Sequence, residues 1–599
     1  MLADIDSANN LVELFLKRAD ERRDRPFLGR KIAGEWQTIS WGEAANQVCA
    51  LAENLRKLGL EEGDRVALVA ENRPEWCIAD LGIMAAGCIT VPAYTTNTER
   101  DHQHILDNSG ARAVIVSNDK LAQPLIPAIM RTGLAEHIIP IDNVRAYQAG
   151  GLRCHAWTQM TAGDRQANRA AVDQRIASIG RERTACIIYT SGTGGAPRGV
   201  LQHHGMILCN VAGAAAIVAE DFGVKDDRFL SFLPLSHAYE HTGGQYLPIG
   251  LGAEIFYAEG LEKLASNIEE VRPTIMVVVP RLFEVLRTRI LKQVEKQGGA
   301  AQKLLTQALG LAERQAAGRY RLGDKTLNFI LERLLRPKIR AKFGGRMKAM
   351  VSGGAPLNPE VGTFFQAMGL TLLQGYGQTE SGPIISCNRP AAGIAMASVG
   401  PPMRGVDVRI AEDGEILCRG ELVMHGYWQN GAETNRALQN GWLHTGDIGH
   451  LDDKGRIVIT DRKKDMIVND KGDNVAPQKL EGMLTLQPEI GQAMVAGDKR
   501  PYCVGLIVPD AEWMAEWAKA NGKPASLTEL REDAAFRSAV RAAVDRVNKE
   551  LSVTEKVRGF AFADEPFTVE NEEMTPSMKI RRHKIRERYG SRLDGLYRG

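Results

Sequence analysis

A series of short, almost wholly apolar runs sets the architecture of this chain. They stand at 65–70 (RVALVA), 113–116 (AVIV), 186–190 (CIIYT), 229–235 (FLSFLPL), 254–258 (EIFYA) and 274–280 (TIMVVVP). Each suits one strand and is apolar along most of its length, as expected when both faces of a strand are covered. Stretches of helical periodicity lie between them, such as 74–86, which ends near Gly87. That order predicts an α/β chain of mostly parallel sheets with helices packed on them.

The pattern then changes. Residues 281–345 are rich in Leu, Ala, Lys, Arg and Gln at helical spacing, which predicts an insert of two or three amphipathic helices. Sheet character returns at 347–352 and 371–377. From about 400 to 460, short strands with Asp-Gly and Lys-Gly turns predict a small antiparallel β subdomain. The charged run 461–465 (DRKKD) reads as a boundary. The expected division is a large N-terminal domain over 1–463 and a smaller mobile α+β domain over 464–599. In the latter, MVAGDKRPYCVGLIVP predicts strand–turn–strand, and a long helix is expected around Phe536–Val557.

Charge and composition exclude several classes. Lys and Arg number 75 and Asp and Glu 73 in 599 residues, so nothing in the net charge suits a nucleic-acid duplex. With 44% hydrophobic and 25% charged residues, the chain is neither disordered nor collagenous. Its nine cysteines include no Cys-x-x-Cys pair, which argues against a disulfide framework and for a reducing compartment. The first residues are charged and carry no apolar core of a secretory signal, and no apolar stretch is long enough to span a bilayer. A cytoplasmic protein is expected. Peripheral contact at the inner face of a membrane and the oligomeric state are left open.

The segment Tyr189-Thr-Ser-Gly-Thr-Gly-Gly-Ala-Pro-Arg-Gly-Val200 carries the densest chemistry. Hydroxyls come from Thr190, Ser191 and Thr193, and Gly192, Gly194 and Gly195 let backbone N–H groups approach an anion. Arg198 adds fixed charge. After a buried strand and before an expected helix, this is a phosphate cradle, though its order is not that of a Walker loop. Three more segments stand out. Ser352-Gly-Gly-Ala-Pro-Leu357 is a Gly-rich turn, Gln374-Gly-Tyr-Gly-Gln-Thr-Glu380 joins an aromatic to a carboxylate, and Gly441-Trp-Leu-His-Thr-Gly-Asp447 ends in an acid expected after a turn.

Taken in order, these segments resemble the adenylate-forming superfamily of acyl-CoA synthetases, peptide-synthetase adenylation domains and beetle luciferases. The family pattern is YTSGTTGxPKGV; here Gly194 replaces a Thr and Arg198 a Lys. The resemblance implies that Gly354, Ala355, Pro356, Gln374, Gly375 and Gly377 border adenine and that Tyr376 stacks on it. It also implies that Thr379 contacts the α-phosphate, that Glu380 holds Mg²⁺, and that Asp447 and Arg462 hold the ribose. Lys464 matches the hinge, and Gly472 a glycine on the thiol's approach. Lys579, in MTPSMKI, matches a mobile catalytic lysine, and His237, in LPLSHAYE, a residue bordering the acyl pocket.

The implied activity is ATP-dependent conversion of a carboxylic acid to an acyl-adenylate and then, with CoA, to a thioester. Thr379, Glu380, Arg198 and Lys579 would serve the first step. The insert, RPTIMVVVPRLFE (272–284) and the run 441–477 are most similar to the long-chain fatty acyl-CoA synthetase branch. Three alternatives stay open: an acyl-AMP ligase loading a carrier protein, an aryl-CoA ligase, and a non-catalytic nucleotide-binding regulator.

Overall fold

The apolar runs pair side by side. In this computed structural model, which describes all residues except 143, 145–150, 191–195, 317, 472, 576–578, 598 and 599, they build two large sheets. One has seven strands in the spatial order Arg153–Cys154, His137–Pro140, Ala113–Val116, Arg65–Val69, Ile89–Pro92, Thr184–Thr190 and Arg198–His203. All neighbours in it are parallel except the last pair. The other has eight strands and a parallel centre, where Glu254–Tyr257, Arg228–Ser231, Ile275–Val278, Ala349–Ser352 and Leu372–Tyr376 lie in that order. Helices such as Pro74–Ala85 and His204–Asp221 are buried along most of their length, as the two-sided apolar pattern requires. The expected α/β class is the observed one.

Residues 407–462 form a five-stranded antiparallel sheet. Beyond it, Ile490–Ala496, Cys503–Pro509 and Val557–Phe562 form a three-stranded sheet covered by helices, with its own core around Phe536, Val540 and Val544.

Four local expectations need correction. The glycine-rich segment precedes a strand, not a helix: Arg198–His203 runs antiparallel to Thr184–Thr190, and helix His204–Asp221 begins only afterwards. Gly199 allows this close pairing, since a Cβ there would stand 2.7 Å from the Ile187 side chain. The insert holds four helices, Pro280–Gln297, Gly299–Ala316, Leu322–Leu334 and Arg336–Lys342. The helix expected to reach Val557 stops at Asn548, whose side-chain amide both donates to and accepts from the Val557 backbone at 2.9 Å. Val557 then opens a strand. Finally, Asp447 lies within strand Trp442–Leu451; the turn comes earlier, at Asn440 and Gly441, both with positive φ.

A buried polar knot supports the floor between the sheets. One oxygen of the fully buried Asp80 accepts hydrogen bonds from His241 Nε2 at 2.8 Å, Gln245 Nε2 at 2.7 Å and the Tyr246 hydroxyl at 2.6 Å. All three donors sit on one π-helical turn, His241–Tyr246. Burial opposes the Asp80 charge, but His241 and the other donors outweigh it and lower the pKa. Next to this turn, Glu240 accepts from the Ser231 hydroxyl at 2.6 Å, and burial raises its pKa to about 8.

Candidate active site

A cavity of about 1710 Å³ opens where the sheets meet, lined by both large sheets, the antiparallel sheet and the C-terminal unit. Parallel pairing puts Ser352 beside Gln374, so the loops leaving both strands reach it at their carboxyl ends. Gly354, Ala355, Pro356, Gln374, Gly375, Tyr376 and Gly377 all line this part. Gly377 must be glycine, because a Cβ would stand 1.9 Å from the Pro383 carbonyl oxygen.

Two neighbouring strands supply the next group. Antiparallel register sets Asp447 opposite Arg462. The Asp447 carboxylate accepts from Arg462 Nε at 2.9 Å and from the Tyr376 hydroxyl at 2.8 Å. Asp447 holds the Arg462 pKa up, while burial pushes the Tyr376 hydroxyl well above its usual range. Thr379 and Glu380 follow on a short 3-10 turn, Thr379–Ser381. The Thr379 carbonyl accepts from Gln202 Nε2 at 2.8 Å, and Glu380 accepts from the Tyr427 hydroxyl at 2.8 Å. Glu380 is largely buried at the cavity wall and is no solvated loop carboxylate.

Across the antiparallel pair Thr190 faces Arg198, one at each end of the glycine-rich segment. Ser191, Gly192, Thr193, Gly194 and Gly195 lie outside the described residues, as does Gly472. Arg198 is engaged by protein: it donates to Glu433 at 2.6 Å and its guanidinium stands 4.5 Å from the centre of the Tyr427 ring. Tyr427, Glu433 and Gln202 therefore shape the site, although no motif in the sequence marks them.

Lys579 reaches the same cavity from the C-terminal unit. Its surface is exposed to the solvent of the cavity, but it sits deep among the cavity's walls, and that surrounding protein weighs on its ionisation. Burial, followed by the nearby Arg462 charge, lowers its pKa to about 8, against the pull of Asp447 and Glu380. His237 also lines the cavity and accepts from the Tyr239 backbone N–H at 3.2 Å. Burial and the Lys579 charge lower its pKa to about 4, so it is neutral near pH 7. Lys464 is exposed just past strand Ile457–Arg462, on the cavity margin.

The donor set fits a nucleotide with a hard cation. Thr190 Oγ1, Arg198 Nε and Gln374 Oε1 are buried with no hydrogen-bond partner among the described residues. Phosphate oxygens and a purine amino group would satisfy such atoms, and a carboxylate such as Glu380 suits Mg²⁺.

The model of the AMP-binding enzyme family matches residues 15–428, and that of the AMP-binding enzyme C-terminal domain matches 464–599. The chain belongs to the AMP-binding enzyme family. The long-chain-fatty-acid–CoA ligase FadD15 of Mycobacterium tuberculosis is 33% identical, over 98% of this chain and 97% of the relative. Human long-chain-fatty-acid–CoA ligase 1 is 30% identical, over 99% of this chain and 87% of the relative. Among solved structures, the adenylation domain of a Mycobacterium chelonae carboxylate reductase superposes with a TM-score of 0.76 at 21% identity, covering 100% of this chain and 93% of that one. The Bacillus subtilis o-succinylbenzoate CoA synthetase with ATP and magnesium gives 0.66 at 20% identity, covering 95% and 98%. At such identities the superpositions speak for the shared fold.

Proposed function

We propose that this protein is an AMP-forming acid–thiol ligase. It activates a medium- to long-chain fatty acid through an acyl-adenylate to its CoA thioester, releasing AMP and pyrophosphate. One observation carries this most: Lys579, from the far end of the chain, lies in one cavity with Tyr376, Glu380, Asp447 and Arg462. That juxtaposition suits an enzyme whose C-terminal domain completes the site for one step only.

In the proposed roles, Gly354–Pro356 and the Tyr376 ring hold adenine, and Asp447 and Arg462 hold the ribose hydroxyls. Thr379 contacts the α-phosphate, and the segment between Thr190 and Arg198 holds the outer phosphates. Glu380 would hold Mg²⁺, which when bound neutralises charge on the phosphates. The carboxylate of the acid attacks the α-phosphorus in line, and pyrophosphate leaves. Two anions must approach, so the protein's work is positioning and charge compensation by Lys579, Arg198 and Arg462.

The apolar arm of the cavity would take the acyl chain, with His237 at its border. Ile217 and Val218 of helix His204–Asp221, Phe222 just past its end, and Val277, Val351 and Leu373 of the parallel strands line it. Burying the chain is worth about 0.8 kcal/mol per CH₂, which favours a long one. For the second step, residues 464–599 would turn about Lys464, withdraw Lys579 and bring the segment around Gly472 to the thiol's path. The thiol then attacks the carbonyl and AMP leaves. Among the described residues no helix is long and apolar enough to cross a membrane. A cytoplasmic location with peripheral contact at the inner face of a membrane fits the proposed substrate.

The test is release of AMP and pyrophosphate from ATP with a panel of C2 to C18 and aromatic acids, with and without CoA. CoA-dependent turnover greatest with long saturated acids is expected. Preference for aromatic acids would make it an aryl-CoA ligase. An adenylate that CoA does not discharge would point to carrier loading, and no release with any acid to a nucleotide-binding regulator.

A further inference from the structure

The helical insert carries a charge that the rest of the chain does not share. Between 280 and 348, seventeen Lys and Arg stand against five acidic residues, while the whole chain holds 75 against 73. The surplus is densest around helix Leu322–Leu334. Both acids nearest it are already engaged: Asp324 pairs with Arg314 at 2.6 Å, and Glu332 with Arg336 at 2.7 Å and Arg340 at 2.9 Å. The exposed Lys325, Arg333 and Lys338 remain as surplus charge.

Large apolar side chains lie among these cations. The inner seam of the helix, Leu331 with Leu335 just beyond, is buried in the core that the insert shares with the eight-stranded sheet. Phe329, Ile330 and Leu334 point the other way and are 60%, 39% and 54% exposed, and Tyr320 nearby is 42% exposed. Helical spacing puts 329, 330, 333 and 334 on one face. Arg333 stands 5.1 Å from the Phe329 ring centre and extends the same patch. Single exposed apolar residues need no explanation, but a strip of them fringed by surplus cations does.

We infer that this face of the insert docks on an anionic phospholipid surface. An amphipathic helix lying in the interface needs apolar side chains to enter the acyl boundary and cations to meet headgroup phosphates, and both are present on this face. A nucleic-acid backbone would use the cations but offer nothing to Phe329, Ile330 and Leu334. The surface is independent of the acid's identity. Only its use for substrate delivery rests on the function proposed above: helix Pro280–Gln297 of the same insert contributes Glu284 to the cavity wall, so the insert that carries the docking face also borders the cavity.

The test is co-sedimentation of the full-length protein with phosphatidylcholine vesicles, with and without phosphatidylglycerol. Binding should need the anionic lipid and weaken with salt. The variants Phe329→Ser/Leu334→Ser and Lys325→Glu/Lys338→Glu alter exposed side chains only, so both should fold as the parent does by circular dichroism. Each should lose vesicle affinity by roughly tenfold or more, since one surface cation alone is worth about fivefold. AMP release with a short, freely soluble acid should not change. Absent binding to anionic vesicles, or binding equal in parent and both variants, would overturn the inference. So would a dimer by light scattering that the variants dissociate while vesicle binding persists, which would assign the face to a second copy. Vesicle binding without AMP release for any acid would remove the proposed reaction and leave the surface standing.

Discussion

Lys579 is the residue on which the proposed chemistry turns. Lys579→Ala should abolish acid-dependent pyrophosphate release while leaving thioester formation from a supplied acyl-adenylate within a few-fold; a quench-flow assay of each half-reaction separates the two. Its ionisation adds a pH signature. With the pKa near 8, the ammonium is present below that value and lost above it. kcat/KM for adenylate formation should therefore fall as pH rises through about 8, and Lys579→Arg should remove that alkaline limb. Asp447 bears on nucleotide affinity, because it holds both Arg462 and the Tyr376 hydroxyl. Asp447→Asn should raise the KM for ATP about 10- to 100-fold, the worth of a charge-assisted hydrogen bond. Tyr376, Glu380 and Asp447 could be grouped from the sequence because each sits in a short contiguous motif that carries the family resemblance, and all three line one cavity. Tyr427, Glu433 and Gln202 could not: each meets its partner from a distant segment, as Glu433 meets Arg198 across 235 positions.

At the scale of elements, the apolar runs made most strands legible and misled where local pattern conflicts with packing. Arg198–His203 reads poorly as a strand because it carries Gly199, yet that glycine lets it pair closely with its neighbour. The end of helix Ala534–Asn548 depends on two side-chain bonds to Val557 that periodicity does not report. The π-helical turn His241–Tyr246 is held by Asp80 from another helix and brings Gly243 to the cavity wall. Glu240, beside it, gives a stability test. Its folded pKa of about 8 lies above the ordinary carboxylate value, so the folded protein holds the extra proton. Its contribution is intact below about pH 4.5 and is lost as pH rises toward 8. Buried histidines such as His204, lowered to about 3, slope the opposite way, so a single pH profile mixes the two. The difference between parent and Glu240→Gln isolates the glutamate. Thermal unfolding should show the variant gaining stability relative to the parent from pH 5 to pH 8.

Across the whole molecule, the contacts between the described residues of 464–599 and the rest include some at the surface that a swing could break. Leu486 packs against the core that the insert shares with the eight-stranded sheet, and Lys292 pairs with Glu512 at the surface. An exposed pair of that kind contributes at most about 1 kcal/mol. Restricting the turn should then separate the two half-reactions. Lys464→Pro fixes φ at the proposed pivot, and should leave pyrophosphate release within a few-fold while slowing thioester formation by roughly a hundredfold or more in single-turnover assays. Equal loss of both would place the pivot elsewhere.

Glu433 gives the resting protein an internal counter-anion. Any visitor at Arg198 shares the guanidinium with this tethered carboxylate, taking the unpartnered Nε while Glu433 keeps its bond, so occupancy there begins as a competition and not as the filling of a vacant positive charge. A stray chloride or a lone carboxylate has little with which to win that competition. A tail carrying several negative oxygens does, and the guanidinium thereby ranks its callers by charge before any bond is made.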